Sequence, residues 1–282
     1  MPPIVFFLLV YLSAFFAGAF GSLLGLGGGI IIIPVLTLIF RLDIHYAIGA
    51  SIVSVIATSS GAAATYVKER LADIRLAMFL EAATTTGAII GAFVAGFLAG
   101  RVLFLVFAVV LIYSSAMMFR KRFLPEPPPA EPDALSRRLH LSGRYYDPAV
   151  GQTIAYNVTA VPLGFGLAMI AGGVSGLLGI GGGALKVPAM DLFMRVPLKV
   201  STATSNLMIG VTAATSAGVY FVRGDINPFI AAPVAMGVLS GTLLGTRLMT
   251  RLRSEGLRLI FAIVLIVVAL EMLGKGLGLG IG

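Results

Sequence analysis

Cysteine is absent from all 282 residues, and charged residues make up only 11% of them. The first absence excludes disulfides, thiolate metal sites and cysteine nucleophiles, and with nothing to oxidise it leaves the redox compartment unread. The second excludes a soluble domain, whose composition is normally about a quarter charged residues. A Gly-Lys-Ser/Thr phosphate loop, a His-Glu-x-x-His zinc motif and a Gly-x-Ser-x-Gly elbow are also missing, so neither ATP-driven nor hydrolytic chemistry has a motif to rest on. Strands of about ten residues with alternating polarity are lacking, which argues against a membrane β-barrel. No basic stretch precedes the apolar run that starts at Ile4. That run therefore reads as a retained part of the fold rather than a signal peptide.

What remains is apolar. The chain is 58% hydrophobic with a mean hydropathy of +1.02. Runs long enough to cross about 30 Å of hydrocarbon, roughly 20 residues as helix, recur from end to end. An all-α polytopic membrane protein follows, with the lipid bilayer as its first partner. The net charge of +8 does not point to nucleic acid, because the basic residues sit mostly between apolar runs, where they orient a membrane chain.

The chain is one unit written twice. Gly25-Leu26-Gly27-Gly28-Gly29 leads to Pro34, and Gly179-Ile180-Gly181-Gly182-Gly183 leads to Pro188. The same spacing of 154 positions relates Arg41 to Arg195, Ser51 to Ser205, Thr58 to Thr212, Tyr66 to Tyr220 and Gly87 to Gly241. Such recurrence marks an internal repeat. The expected division is a first transmembrane repeat over 1–119, a linker over 120–153 and a second repeat over 154–282. Each repeat holds five apolar segments: about 4–24, 30–40, 47–67, 76–99 and 102–119 in the first, and a run from about 155 to 178 opening the second. The segment after each glycine break is too short to span alone and reads as a half-helix. The linker is proline-rich at Pro125, Pro127, Pro128, Pro129 and Pro132, and Asp147-Pro148-Ala149-Val150-Gly151 inside it predicts a hairpin turn. If each broken pair returns the chain to its starting face, a cytoplasmic linker puts fifteen of the twenty Lys and Arg residues inside. Four crossings per repeat would put only eleven there. The charge bias thus favours inverted repeats, a plan that transporters use to bind substrate near the midplane where half-helices meet.

Glycines at a helix start leave backbone N–H groups and the positive end of the helix dipole open, which suits an anion. Gly27, Gly28, Gly29, Gly181, Gly182 and Gly183 are therefore candidates for substrate binding; the bland alternative is that they only allow close helix packing. Ser51, Thr58, Thr204, Ser205, Asn206 and Thr212 add neutral donors on the third segment of each repeat. Most membrane Ser and Thr simply bond the carbonyl four residues back, whereas the amide of Asn206 needs more than one partner. Lys186 lies in the first turn of the second half-helix, where its repeat partner is the apolar Ile32. A transported anion, a water-filled vestibule, or an ion pair with Asp191 or a distant Glu81 would each account for it. Glu81 is also a candidate proton carrier, with Arg75 or Lys68 as rival partners. Asp191 is a second such candidate, although an i,i+4 pair with Arg195 is its more ordinary role. Glu271, near a helix end, is read as snorkelling. His45 and His140 have no second ligand at metal spacing, so no metal is expected, and no cofactor either.

The paired glycine breaks, each followed by a proline, together with Ala203-Thr204-Ser205-Asn206 after the second, resemble the TauE/SafE family of membrane permeases. The resemblance covers nearly the whole chain; the first repeat departs from it, with Ala50-Ser51-Ile52 lacking the Thr and Asn. It implies a permease in a prokaryotic cytoplasmic (inner) membrane that moves a small sulfur oxyanion such as sulfite, or an organosulfonate. Alternating access is the expected mode. An anion channel, a non-transporting scaffold or assembly factor, and last an intramembrane enzyme are the alternatives.

Overall fold

The computed structural model describes residues 3–122 and 131–278. The prolines at 125, 127, 128 and 129 lie outside the described residues. The first half comprises α1 (Pro3–Leu24), the short α2 (Gly29–Pro34), α3 (Ile44–Lys68), α4 (Ile74–Ala95) and α5 (Gly100–Arg122). A small helix α6 (Ala134–Leu139) and the hairpin β1 (Gly143–Asp147) and β2 (Gln152–Tyr156) follow. The second half repeats the first as α7 (Val161–Leu178), α8 (Gly183–Pro188), α9 (Leu198–Val222), α10 (Pro228–Arg251) and α11 (Ser254–Leu277). Among the described residues, eight of these helices are long and apolar enough to cross a membrane, the short α2, α6 and α8 being the exceptions.

Local chemistry sets the boundaries. Asp43, Asp73, Asp133 and Asn227 each accept a backbone N–H in the first turn of α3, α4, α6 and α10, satisfying donors that a helix start leaves open. Pro34 and Pro188 cannot donate to their helices. The turn after each widens to five-residue spacing, with Phe40 N–H bonding the Val35 carbonyl at 3.4 Å and Met194 N–H the Ala189 carbonyl at 3.2 Å. Arg41 and Arg195 then take positive φ, 54° and 57°, and end the helix. The apolar run expected to start near 155 begins instead as strand β2. A left-handed Ala160 (φ 49°) and Pro162 delay α7 to Val161.

The halves clasp each other reciprocally. α1 lies along α10 and α4 along α7, while α3 crosses α9 and α5 runs beside α11. Glycines permit the closest approach: a side chain at Gly87 would collide with the Met169 carbonyl, and one at Gly241 with the Phe15 carbonyl, the same contact 154 positions on. Two pairs of equivalent helices, α5 with α11 and α3 with α9, pack antiparallel. On α5 and α11, Arg101 bonds the Gly276 carbonyl and Ser115 the Ala262 carbonyl, each at 2.8 Å. On α3 and α9, Gly49 abuts Asp225 beyond the end of α9, whereas Ser59 bonds the Asn206 carbonyl near its start. Large apolar side chains such as Phe16, Phe93, Leu243 and Ile263 cover the outer face, as a lipid-facing surface requires.

The hairpin forms where the Pro and Gly turn predicts it, pairing Gly143 with Tyr156 through Asp147 with Gln152. It is bound to both halves. Asp147 makes a buried 2.6 Å ion pair with Lys199 at the start of α9, and Tyr156 Oη donates to Asp73 Oδ2 at 3.0 Å before α4. Burial and the neighbouring Asp73 carboxylate push the Tyr156 phenol up, so it remains a donor.

Candidate functional site

The two glycine breaks meet at the centre of the fold. Gly27 and Gly181 both rest on Val55 and Ile209, and a side chain on Gly183 would collide with the Gly25 carbonyl. The hydroxyls around them bond across the halves in matched pairs. Ser51 Oγ donates to the Gly179 carbonyl at 2.7 Å, and Ser205 Oγ to the Gly25 carbonyl at 2.8 Å. Tyr66 Oη bonds the Ser22 carbonyl and Tyr220 Oη the Gly176 carbonyl, at 3.0 and 2.8 Å. These contacts satisfy carbonyls that a broken helix leaves open.

Three consecutive residues of α9 face three different neighbours, because each residue turns the helix by about 100°. Ser205 reaches Gly25, but Thr204 Oγ1 accepts the Asp73 N–H at 2.9 Å beside the start of α4. Asn206 Nδ2 is taken up by two carbonyls, Ser22 at 2.9 Å and Thr202 at 3.1 Å, leaving its buried Oδ1 without a partner among the described residues. The Asn206 amide thus has no N–H to spare. Gly29 packs against Ser51, and Gly28 N–H is directed at Thr58 Oγ1 at 3.2 Å; Thr58 itself donates to the Ser54 carbonyl.

Charge enters on one side only. Lys186, 2% exposed, donates from Nζ to Thr212 Oγ1 at 2.6 Å. Thr212 has a single proton, and accepting from Lys186 leaves it to donate to Glu81 Oε1 at 2.8 Å, with the Met208 carbonyl at 3.1 Å as the competing acceptor. Thr85 donates to the same Oε1 at 3.1 Å, and Thr84 Oγ1 lies 3.4 Å from Thr212. The ammonium and carboxylate are therefore separated by no more than the two bonds through Thr212. At about 5 Å and an effective dielectric near 20, their attraction is roughly 3 kcal/mol. Among the described residues, Glu81 Oε2 and the nearby Ser175 Oγ are buried with no hydrogen-bond partner. Gly182 makes room for this cluster: a side chain there would press on Ser175 Cβ and Lys186 Cε, and its φ of +74° is one that L-residues avoid. Gly28, the equivalent glycine, sits at an ordinary φ of −60°.

Two sequence-based expectations are corrected. Asp191 pairs not with Arg195 but with Arg258 of α11, at 3.0 Å and both buried. The helix stops at Met194, and the positive φ of Arg195 carries that exposed side chain away. Glu81 pairs with neither Arg75 nor Lys68; Arg75 bonds the His140 carbonyl at 3.2 Å. Glu81 is also not remote from Lys186. Glu271 is exposed, as the snorkelling reading requires. Thr84, Thr85 and Ser175 were not singled out from sequence, although Thr84 and Thr85 fall three and four positions after Glu81 and hence on its helix face.

The geometry is a buried lysine, a hydroxyl relay and a half-buried carboxylate beside a glycine break, inside a bundle of membrane-length helices. Comparison with known proteins finds the family described as Sulfite exporter TauE/SafE matching residues 10–272. Probable membrane transporter protein YunE of Bacillus subtilis (strain 168) is 28% identical over 279 residues, covering 96% of this chain and 98% of its own. Probable membrane transporter protein YdhB of the same organism is 23% identical over 233 residues, covering 82% and 86%. No solved structure matches significantly.

Proposed function

The chain belongs to the TauE/SafE sulfite exporter family and is a multi-pass membrane transporter rather than an enzyme, and from that premise we propose that it carries a small anion, sulfite or an organosulfonate, by alternating access. Lys186 carries this reading. A lysine near the middle of a membrane helix costs about 2.5–3.5 kcal/mol on insertion scales, and the fold surrounds this one with donors: Thr212, Thr84 and Ser175. A sulfonate or sulfite oxygen would take the ammonium and these hydroxyls as charge-assisted and neutral partners. Binding through one mobile ammonium and hydroxyls, without a bidentate arginine, suits a ligand that must also leave. Lys186, Thr212, Thr84 and Ser175 are buried here, and on this reading admitting the anion would separate α4 and α7 from α8 and α9.

The halves are proposed to lie inverted in the bilayer with the linker in the cytoplasm. The opposite directions of α3 and α9 and of α5 and α11 support it, as does the charge bias. The driving force is sought in an ion gradient, since no nucleotide-binding motif is present. Transport is tested with purified protein in liposomes: saturable entry of sulfite or an alkanesulfonate is expected in the wild type, with Lys186→Met inactive and Lys186→Arg partly active. Normal saturable uptake by Lys186→Met would remove Lys186 from the site, and no flux of any anion would favour a non-transporting scaffold. Orientation is tested with single cysteines beside Leu135 and Ser254. Labelling of the two from opposite faces would reject the inverted arrangement.

A further inference from the structure

The Glu81 carboxylate occupies the place of an anion: one oxygen takes the Thr212 hydroxyl, which in turn takes the Lys186 ammonium. We propose that Glu81 is an internal stand-in for the transported anion and must take up one proton for each anion admitted, making the permease a proton–anion symporter. The inference rests on the anion-carrier reading above and adds its coupling ion.

Charge balance gives the reason. With Lys186 as ammonium and Glu81 as carboxylate the buried cluster is neutral. A monoanion entering as a third charge would leave a net negative site away from water, which is costly. A proton arriving from solvent and bonding to Glu81 cancels that charge, so the loaded site, holding ammonium, anion and neutral carboxyl, is again neutral. Both the empty and the loaded carrier can then rearrange, whereas the singly occupied intermediates carry net charge and are held back. That asymmetry is what coupling requires, because neither the proton nor the anion is carried alone.

The atoms fit the role. Glu81 Oε2 is buried and has no hydrogen-bond partner among the described residues, so a proton added there displaces no existing bond. Glu81 as a whole is half-buried and lies two turns from the start of α4, the end at which Asp73, Tyr156 and the hairpin sit. Competing titratable groups are few. Among the described residues, α7 carries no ionisable side chain, and α8 carries only Lys186. On α9, Lys199 is committed to Asp147 and Tyr220 to the Gly176 and Leu177 carbonyls. On α4 itself, Arg75 bonds the His140 carbonyl. Asp191, the other carboxylate considered from sequence, is held by Arg258 and does not face Lys186.

The test uses the full chain in liposomes loaded with a fluorescent pH reporter. Methanesulfonate is the main probe because it stays a monoanion and brings no proton of its own; sulfite is run alongside at mildly acidic pH, where it is the hydrogen sulfite monoanion, and its entry is read directly. An inward anion gradient is expected to acidify the lumen by one proton per anion, and an inward proton gradient to concentrate the anion. Glu81→Gln fixes a neutral side chain and is expected to abolish proton-driven accumulation and to flatten the pH dependence of binding. Should that variant fail to fold, wild-type affinity alone decides: one obligatory proton predicts a tenfold loss per pH unit on the alkaline limb. Anion entry without acidification, a pH-independent affinity, or Glu81→Gln accumulating anion as the wild type does would each overturn the symport while leaving the anion carrier standing. Absence of flux for both probes in the wild type would bring down the carrier reading and the symport with it.

Discussion

The polar cluster at Lys186 and its equivalent in the other half are built on the same backbone plan and filled with opposite chemistry. Where the second break has Lys186, Thr212 and Ser175 facing Glu81 and Thr84, the first has Ile32, Thr58 and Gly21 facing Ala235 and Val238. The shared features, Ser51 with Ser205 and Tyr66 with Tyr220, bond backbone carbonyls across the halves and hold the breaks in place. The unshared ones carry charge. Repetition thus supplies the frame, and departure from repetition supplies the chemistry, so the positions to mutate are those where a residue and its counterpart disagree.

The largest expected effect comes from the ion pair that has no charged equivalent. Asp191→Ala takes the carboxylate away from the buried Arg258 guanidinium, where the first half has Thr37 and Phe104, and should cost about 3–5 kcal/mol of stability. Thermal unfolding in detergent reads it, and a loss under 1 kcal/mol would mean that Arg258 finds water. Next, Lys186→Ile gives the second break the apolar residue of the first, and anion affinity should fall by about 10–100-fold, as for the loss of a hydrogen bond to a charged group. Calorimetric titration measures it, and Ile32→Leu, at the apolar counterpart, should leave binding within error. A smaller contrast concerns backbone strain: Gly182→Ala puts a Cβ at φ +74° and should cost about 1–2 kcal/mol, while Gly28→Ala, at φ −60°, should cost less. Equal unfolding temperatures for the two would contradict the difference in conformation. The smallest contrast is an expected equality, with Ser51→Ala and Ser205→Ala each losing about 1 kcal/mol. A gap much above 0.5 kcal/mol would show that the matched hydrogen bonds are not equivalent.

Much of the fold was legible because its signals are local and doubled. Each glycine break, proline and terminating arginine occurs twice at one spacing, and the hairpin is marked by its own turn residues. Lys186 stood out because Ile32 is its counterpart. Its link to Glu81 did not, since Glu81 and Thr212 are 131 positions apart and nothing in sequence pairs α4 with α9. Asp191 was read as a partner of Arg195 by helical spacing, which held only until the backbone turned left-handed at Arg195 itself. Thr204 and Asn206 looked like neighbours of Ser205 and are so only along the chain; rotation about the helix sends each to a different helix or loop.

The exchange of partners between halves also bears on how the protein is made. α1 has its main neighbour in α10, which begins about 200 residues after α1 ends. At a synthesis rate of about 5–20 residues per second, α1 waits roughly 10–40 s in the bilayer before that neighbour emerges. During this interval the glycines that fit α10 have nothing to pack against, and the helix must persist on its own fit to lipid. Its sequence allows this, with no charged residue anywhere along Pro3–Leu24. By the time α7 arrives, α4 is already in place, so assembly of the second half is templated by the first and completes it.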